Sequence, residues 1–289
     1  MPEPFKTLLF TAFMSLAWTL WLAVTLTNIG KVSARAATAC RRAPTLDIIV
    51  ALATWVPWIV FAVVTHLEGG ELLKVGGAEG VEIGWLVGGV GALAGQIAGL
   101  TLWCWGHEWA NRAKVRGRPR IVGYLNRRVG RVRNHAALWI TALAYPIFWG
   151  IRFGEVCIYP FLVWTVRLPR YRQAEWINVS RTKFDGLVGH DLIWCLYCDW
   201  MTGVYSLGAE MLRNVESFWC PIRFYDGKKC ENCKVDFPDL DGGWVKPDGT
   251  MSDVVATMEK HYDGGDHSWF GHPRRKDKTE IVKVTVEGK

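Results

Sequence analysis

The 289-residue sequence lacks the common short motifs that would assign it to a familiar class of enzyme. It has no Walker A loop, no G-x-S-x-G nucleophile motif, no G-x-G-x-x-G dinucleotide fingerprint and no C-x-x-C-H haem site. His107 and Glu108 are adjacent, but no second histidine follows at the spacing of the zinc-protease motif H-E-x-x-H. The sequence therefore indicates no reaction class, and it favours a protein that is not an enzyme.

Charge is missing from long stretches of the first half, and these stretches predict transmembrane helices. Residues Thr7–Ile29 contain no charged side chain, and about 20 apolar residues are enough to cross the hydrocarbon core of a membrane. The apolar segments Leu46–Thr65 and Gly84–Trp105 predict a second and a third span in the same way.

A fourth apolar segment, Ala136–Val166, is interrupted by Arg152 and Glu155 and has basic residues beyond both of its ends. Because the positive-inside rule places both ends in the cytoplasm, the segment is predicted to be a hairpin of two short helices, spanning or re-entrant. Its turn would lie near Arg152 and Glu155. A charged pair inside a membrane is a functional candidate, but an ion pair at the level of the lipid headgroups is the simpler interpretation, which we favour.

The basic residues are concentrated in the membrane half, because residues 1–180 carry a net charge of +10 and residues 181–289 a net charge of −3. Nine of them lie between residues 112 and 133: Arg112, Lys114, Arg116, Arg118, Arg120, Arg127, Arg128, Arg131 and Arg133. This cluster predicts a cytoplasmic loop that contacts anionic headgroups, and binding of nucleic acid is the less favoured alternative. We expect an inner-membrane protein with its N-terminus outside and its C-terminal part in the cytoplasm.

Small residues recur at every fourth position of the third predicted span, at Gly91, Gly95 and Gly99. This spacing lets a second helix approach closely, so it predicts tight helix packing. The pattern does not distinguish a helix of this chain from one of another protein. We expect this face to contact other membrane-protein subunits.

Five of the eight cysteines fall between Gly189 and Lys234, namely Cys195, Cys198, Cys220, Cys230 and Cys233. The two C-x-x-C pairs among them can supply four thiolate ligands to a tetrahedral zinc ion. Cys220 is a fifth candidate that could replace Cys195 or Cys198. An iron–sulfur centre is less favoured, stable disulfides are not expected in the cytoplasm, and buried free thiols are the remaining alternative.

These features together predict a mainly α fold with two domains. Residues 1–170 would form a polytopic helical membrane domain of three spans plus the hairpin. Residues 171–289 would form a small, irregular α+β domain, rich in cysteine and stabilised by zinc. Within it we expect a helix near residues 187–215, broken around Gly203, a helix at Ser252–His261, and a final strand in the segment IVKVTVEG.

The predicted function is that of an accessory subunit or assembly factor of a larger membrane complex. One alternative is a metal-dependent membrane enzyme that uses the cysteine site with His190, Asp191 or Glu210 as acid or base. The other alternative is binding of anionic lipid or nucleic acid through the basic residues of Arg112–Arg133.

Overall fold

The structure is a computed structural model that describes residues 3–68, 83–184, 186–219, 245 and 248–262. Of the described residues, 84% are helical, so the predicted mainly α fold is confirmed. In chain order the elements are α1 (Glu3–Val32), α2 (Ala34–Cys40), α3 (Thr45–Glu68), α4 (Ile83–Ala110), α5 (Arg112–Val115), α6 (Ile121–Val129), α7 (Arg131–Ala142), α8 (Tyr145–Phe153), a π-helical turn (Gly154–Ile158), α9 (Tyr159–Val166), α10 (Gln173–Trp176), a 3-10 turn (Arg181–Lys183), α11 (Gly189–Trp219) and α12 (Met251–Tyr262).

The chain divides into two compact units. The first contains Met1–Ala144 and Gln173–Gly203, and the second contains Tyr145–Arg172 and Val204–Lys289. Much of the predicted cysteine-rich domain, including the segment IVKVTVEG, lies outside the described residues. That α+β domain and its boundary at residue 170 therefore stay predictions.

Among the described residues, three helical stretches are long and apolar enough to cross a membrane: Phe5–Val32, Val87–Ala110 and Arg131–Val166. The first two contain most of the first and third predicted spans. The second predicted span lies within the 24 residues of α3, in which Thr45–Ile59 forms an apolar helical stretch shorter than a full span. These lengths fit a membrane protein, whereas the choice of membrane and the orientation stay predictions.

The glycine face of α4 packs against α1 of the same chain. A Cβ atom added to Gly99 would lie 3.0 Å from the carbonyl oxygen of Leu16, and one added to Gly95 would overlap the carbonyl of Ala12. Only glycine lets the two backbones approach so closely. The predicted tight packing is confirmed, but its assignment to another subunit is corrected, since α1 occupies the face at Gly91, Gly95 and Gly99.

The predicted hairpin turn at Arg152 and Glu155 is wrong. The chain continues from α8 through the π-helical turn into α9 without reversing. Pro160 has no N–H to donate, and its ring would press on the carbonyl of Val156 in a regular helix. The wider π turn directly before Pro160 accommodates the proline and keeps the helix continuous.

The predicted break near Gly203 is also wrong, because α11 runs unbroken from Gly189 to Trp219. A Cβ atom on Gly203 would lie 2.6 Å from the carbonyl oxygen of Trp176. The glycine is therefore explained by close packing and not by a bend.

The helix predicted at Ser252–His261 is confirmed as α12. The Thr250 hydroxyl accepts the N–H of Asp253 at 3.4 Å, and the Asp253 carboxylate accepts the N–H of Thr250 at 2.6 Å. This reciprocal pair is a capping box, so Thr250 is the N-cap of α12.

Candidate functional site

The structure describes two of the five predicted cysteine ligands. Cys195 and Cys198 lie three residues apart on α11, and both are half-buried free thiols. Cys220, Cys230 and Cys233 lie outside the described residues. In the part of the chain that the structure describes, no three His, Cys, Asp or Glu side chains form a metal-binding group, so the four-cysteine zinc site stays a prediction.

Arg181 in the 3-10 turn pairs with Asp199, the residue that follows Cys198 on α11. Hydrogen bonding to the Cys198 thiol, with a further bond to Cys195, raises the pKa of Arg181. Asp199 fixes this arginine, because its carboxylate lies 3.1 Å from Arg181 Nε and also accepts the backbone N–H of Arg181 at 3.0 Å. The same carboxylate accepts the N–H of Ser180 at 2.9 Å. The 3-10 turn is thereby held beside the thiol-bearing face of α11.

The thiols occupy a boundary between protein and solvent. Burial raises the pKa of Cys195, while the hydrogen bond from Arg181 opposes that effect. Cys198 Sγ lies 3.9 Å from the hydroxyl of Thr202 one turn further along the helix. Two thiols that share a cationic neighbour and are partly exposed form a chemically accessible pair.

Of the two predicted acid–base residues at the start of α11, Asp191 caps another helix, and the His190 ring contacts Glu108 and His135. Asp191 Oδ2 accepts Arg120 Nε at 3.0 Å, and Asp191 Oδ1 accepts the N–H of Val122 at 2.9 Å. Val122 lies in the first turn of α6, so Asp191 caps that helix from another part of the chain. His190 Nδ1 lies 3.5 Å from Glu108 Oε1, and its ring makes an edge contact with His135.

The end of α4 in turn caps the start of α11. Glu108 Oε1 accepts the N–H of His190 at 3.1 Å and Arg120 Nη2 at 2.8 Å. His107 Nδ1 accepts the N–H of Gly189 at 3.1 Å. The hydrogen bond to Glu108 is the main reason that the pKa of Arg120 is raised. Glu108, Arg120 and Asp191 thus form a joint between α4, α6 and α11. The sequence analysis did not predict this joint, although Glu108 stands out as the single acid beside nine basic residues.

Glu210, the third predicted acid–base residue, belongs to a separate buried cluster in the second unit. Its carboxylate accepts the Tyr171 hydroxyl at 3.4 Å and pairs with Arg213 at 3.4 Å. Asn214 donates to the Tyr171 hydroxyl and, at 3.0 Å, to the carbonyl of Glu210. Burial raises the pKa of Tyr171 and keeps its hydroxyl a donor. Asp191 and His190 belong to the first unit, whereas Glu210 belongs to the second.

Arg152 and Glu155 form an ion pair inside the second unit. Arg152 Nη1 lies 2.7 Å from Glu155 Oε2, and the two side chains are 3% and 2% exposed. Gly208 of α11 makes room for them, because a Cβ atom there would lie 3.1 Å from Glu155 Oε1. Protein covers both side chains, and the favoured interpretation that the pair lies at the level of the lipid headgroups stays a prediction.

Eight of the nine basic residues between 112 and 133 are exposed: Arg112, Lys114, Arg116, Arg118, Arg127, Arg128, Arg131 and Arg133. Arg120 is the exception, because it is half-buried in the joint with Glu108 and Asp191. Ile121 and Tyr124 of α6 are exposed beside them. No protein-family model, no curated protein and no solved structure matches the chain.

Proposed function

We propose that this chain is an integral membrane protein that acts as an accessory or assembly subunit of a larger membrane complex. The proposal rests on one observation, which is that the apolar helices differ in the share of their residues that the protein buries. In the most apolar window of Val87–Ala110, 39% of the residues are buried, against 6% in Arg131–Val166. Exposed aromatic side chains such as Phe161 and Trp164, 68% and 79% exposed, lie on this second stretch. Aromatic side chains are the usual anchors of protein interfaces.

The hydrogen bonds that the polar side chains of this joint make support a non-catalytic role. Glu108, Arg120 and Asp191 bond to one another or to backbone N–H groups at helix ends. Such bonds hold elements together and leave no carboxylate of this joint positioned as a general base. This arrangement favours a scaffold over the alternative of a metal-dependent enzyme.

The proposal includes a cytoplasmic C-terminal domain stabilised by zinc, with Cys195 and Cys198 on α11 as ligands alongside Cys220, Cys230 and Cys233. The described thiols support it, because they lie three residues apart on one helix and thiolates are the ligands that structural zinc prefers. The basic residues of Arg112–Arg133 support the cytoplasmic placement of the loop that they occupy. Metal analysis of the purified chain should find zinc, and iron or no metal would contradict this part.

The subunit proposal is tested by photo-crosslinking in native membranes. A photoreactive amino acid at Trp164 should give a discrete protein adduct, whereas the same group at Trp21, an exposed position on α1, serves as the comparison for lipid contact. In mild detergent the chain should purify in a stoichiometric assembly heavier than its own 32.6 kDa. The variant with Phe161→Ala and Trp164→Ala should dissociate from it. Lipid adducts alone at Trp164, together with a monomeric chain, would refute the proposal.

A second function is favoured by the exposed basic surface. Eight exposed cations beside the exposed side chains of Ile121 and Tyr124 form an amphipathic surface suited to anionic headgroups. Liposome flotation should show binding to vesicles with phosphatidylserine that weakens with salt. Arg127→Gln with Arg128→Gln should weaken it, whereas Lys31→Gln outside the cluster should not. Equal binding by both variants would exclude this function.

A further inference from the structure

We propose that Gln96 is a latch that closes the break made by Pro57 in α3, and that α3 bends at Pro57 when this latch opens. Pro57 lies within the 24 residues of α3, and it has no N–H to donate to the carbonyl of Ala53 one turn earlier. Its ring also presses on that carbonyl, which is why helices bend at prolines. The carbonyl of Ala53 therefore requires a donor from outside the backbone of α3.

The side chain of Gln96 on α4 supplies that donor. Its Nε2 atom lies 3.2 Å from the carbonyl oxygen of Ala53 and 3.3 Å from that of Thr54 in the same turn. A primary amide has two N–H donors, so one is available for each carbonyl, whereas the amide oxygen in this place would face two other acceptors. A neighbouring helix thus provides the hydrogen bond that the backbone of Pro57 cannot make.

The apolar surroundings make this contact important. Gln96 lies inside Val87–Ala110, one of the stretches that are long and apolar enough to cross a membrane. Because the hydrocarbon core contains no water, a carbonyl freed there by a proline is satisfied by a neighbouring side chain or an ordered water. Gly95, the residue before Gln96, packs against the backbone of Ala12 on α1. This packing holds α4 where the amide reaches α3.

The part of α3 before the proline is attached to other helices of the first unit by two further side chains. Trp18 of α1 donates its indole N–H to the carbonyl of Leu52 at 2.8 Å. Trp200 of α11 donates its indole N–H to the carboxylate of Asp47 at 3.1 Å. The latch lies at the end of this attached part. A bend at the proline therefore moves the part of α3 that follows it, as far as Glu68.

A double-mutant cycle on the full chain in nanodiscs tests the latch by hydrogen exchange. Gln96→Met keeps the approximate volume of the side chain but removes both donors. The amides of Trp58 and Ile59, directly after the proline, should then exchange about 10-fold faster. In a Pro57→Ala background the new backbone N–H reaches the carbonyl of Ala53, so Gln96→Met should change the exchange less than about 2-fold.

The control for the cycle is Thr101→Val on the same helix. The Thr101 hydroxyl donates to the carbonyl of Ile97 within α4 at 2.7 Å, so its removal should leave the exchange around Pro57 unchanged. Equal acceleration by Gln96→Met in the proline and alanine backgrounds would overturn the latch, since the effect would then not depend on the missing N–H.

The bend is measured as the distance between spin labels carried on noncanonical amino acids. A pair at Glu68 and Trp21 reports the part of α3 after the proline, and a pair at Ile48 and Trp21 reports the part before it. Trp21 and Ile48 are exposed. Gln96→Met should widen the first distance distribution and leave the second unchanged. An unchanged first distribution, or equal widening of both, would overturn the bend at Pro57.

A Gln96→Met variant that fails to fold still tests the proposal. Adding Pro57→Ala restores a backbone donor for the carbonyl of Ala53, so the double variant should recover the fold, as measured by circular dichroism and size-exclusion chromatography. A double variant that stays unfolded would overturn the proposal.

Discussion

Two clusters of charged side chains, one in each compact unit, use the same chemistry in different surroundings. In the first unit Arg120 joins Glu108 and Asp191, with Arg120 18% exposed and Asp191 5% exposed. In the second unit Arg152 and Glu155 are 3% and 2% exposed and lie one turn apart on a single apolar helix. The first cluster connects three helices, whereas the second connects two neighbouring turns of one helix.

The comparison distinguishes charged side chains that connect helices of the fold from charged side chains whose burial lowers the free energy of unfolding unless they are paired. Asp191 offers its two oxygens to Arg120 and to the N–H of Val122, so its loss leaves donors that water can partly reach. Arg152 is shielded from water, so loss of the Glu155 carboxylate removes the negative charge that lies 2.7 Å from its guanidinium in a buried place. Breaking a buried pair costs more than a partly exposed pair contributes.

The largest effect is expected from Glu155→Gln. The substitution keeps the size of the side chain but removes the charge that balances Arg152. We expect the free energy of unfolding to fall by about 3–5 kcal/mol, measured by denaturant titration in mild detergent.

The control replaces both charges with apolar side chains of similar volume, Arg152→Met together with Glu155→Leu. Because no uncompensated charge remains, this double variant should recover most of the lost stability. A double variant as unstable as Glu155→Gln would show that the pair is not the origin of the effect.

A smaller effect is expected from Gly208→Ala, which tests the close packing around Glu155. The new Cβ atom would lie 2.6 Å from Ile151 Cγ2 and 3.1 Å from Glu155 Oε1. Overpacking of this kind should lower the free energy of unfolding by about 2 kcal/mol. In Gly106→Ala on α4 the Cβ would meet nothing within 4 Å, so that variant should gain up to about 1 kcal/mol from helix propensity. Equal effects of the two substitutions would contradict this packing.

The sequence could predict those parts of the fold that depend on patterns of residues close together in the chain. An apolar run such as Thr7–Ile29 predicts a helix without tertiary information, and the spacing of Gly91, Gly95 and Gly99 predicts a close contact. The spacing does not name the partner, because it describes only the surface of one helix. The structure assigns that partner as α1.

The parts that sequence could not predict depend on distant or competing residues. Glu108 and Asp191 are separated from Arg120 by 12 and 71 residues, so no local pattern joins them. The prediction of a hairpin in Ala136–Val166 rests on the basic residues beyond both ends of the segment. The positive-inside rule describes loops and gives no information about the helix between them. The π turn that accommodates Pro160 depends on local backbone geometry, which the amino-acid composition does not predict.

The smallest effect is expected from Asp191→Asn, which tests whether the joint in the first unit contributes mainly through its charge or through its cap. The amide keeps one oxygen for the N–H of Val122 but loses the charged bond to Arg120. We expect a loss of about 1 kcal/mol in the free energy of unfolding. Asp191→Ala removes the cap of α6 as well, so its loss should be larger by about 1 kcal/mol. Equal losses would mean that the cap contributes nothing, and a loss in Asp191→Asn as large as in Glu155→Gln would remove the distinction between the two clusters.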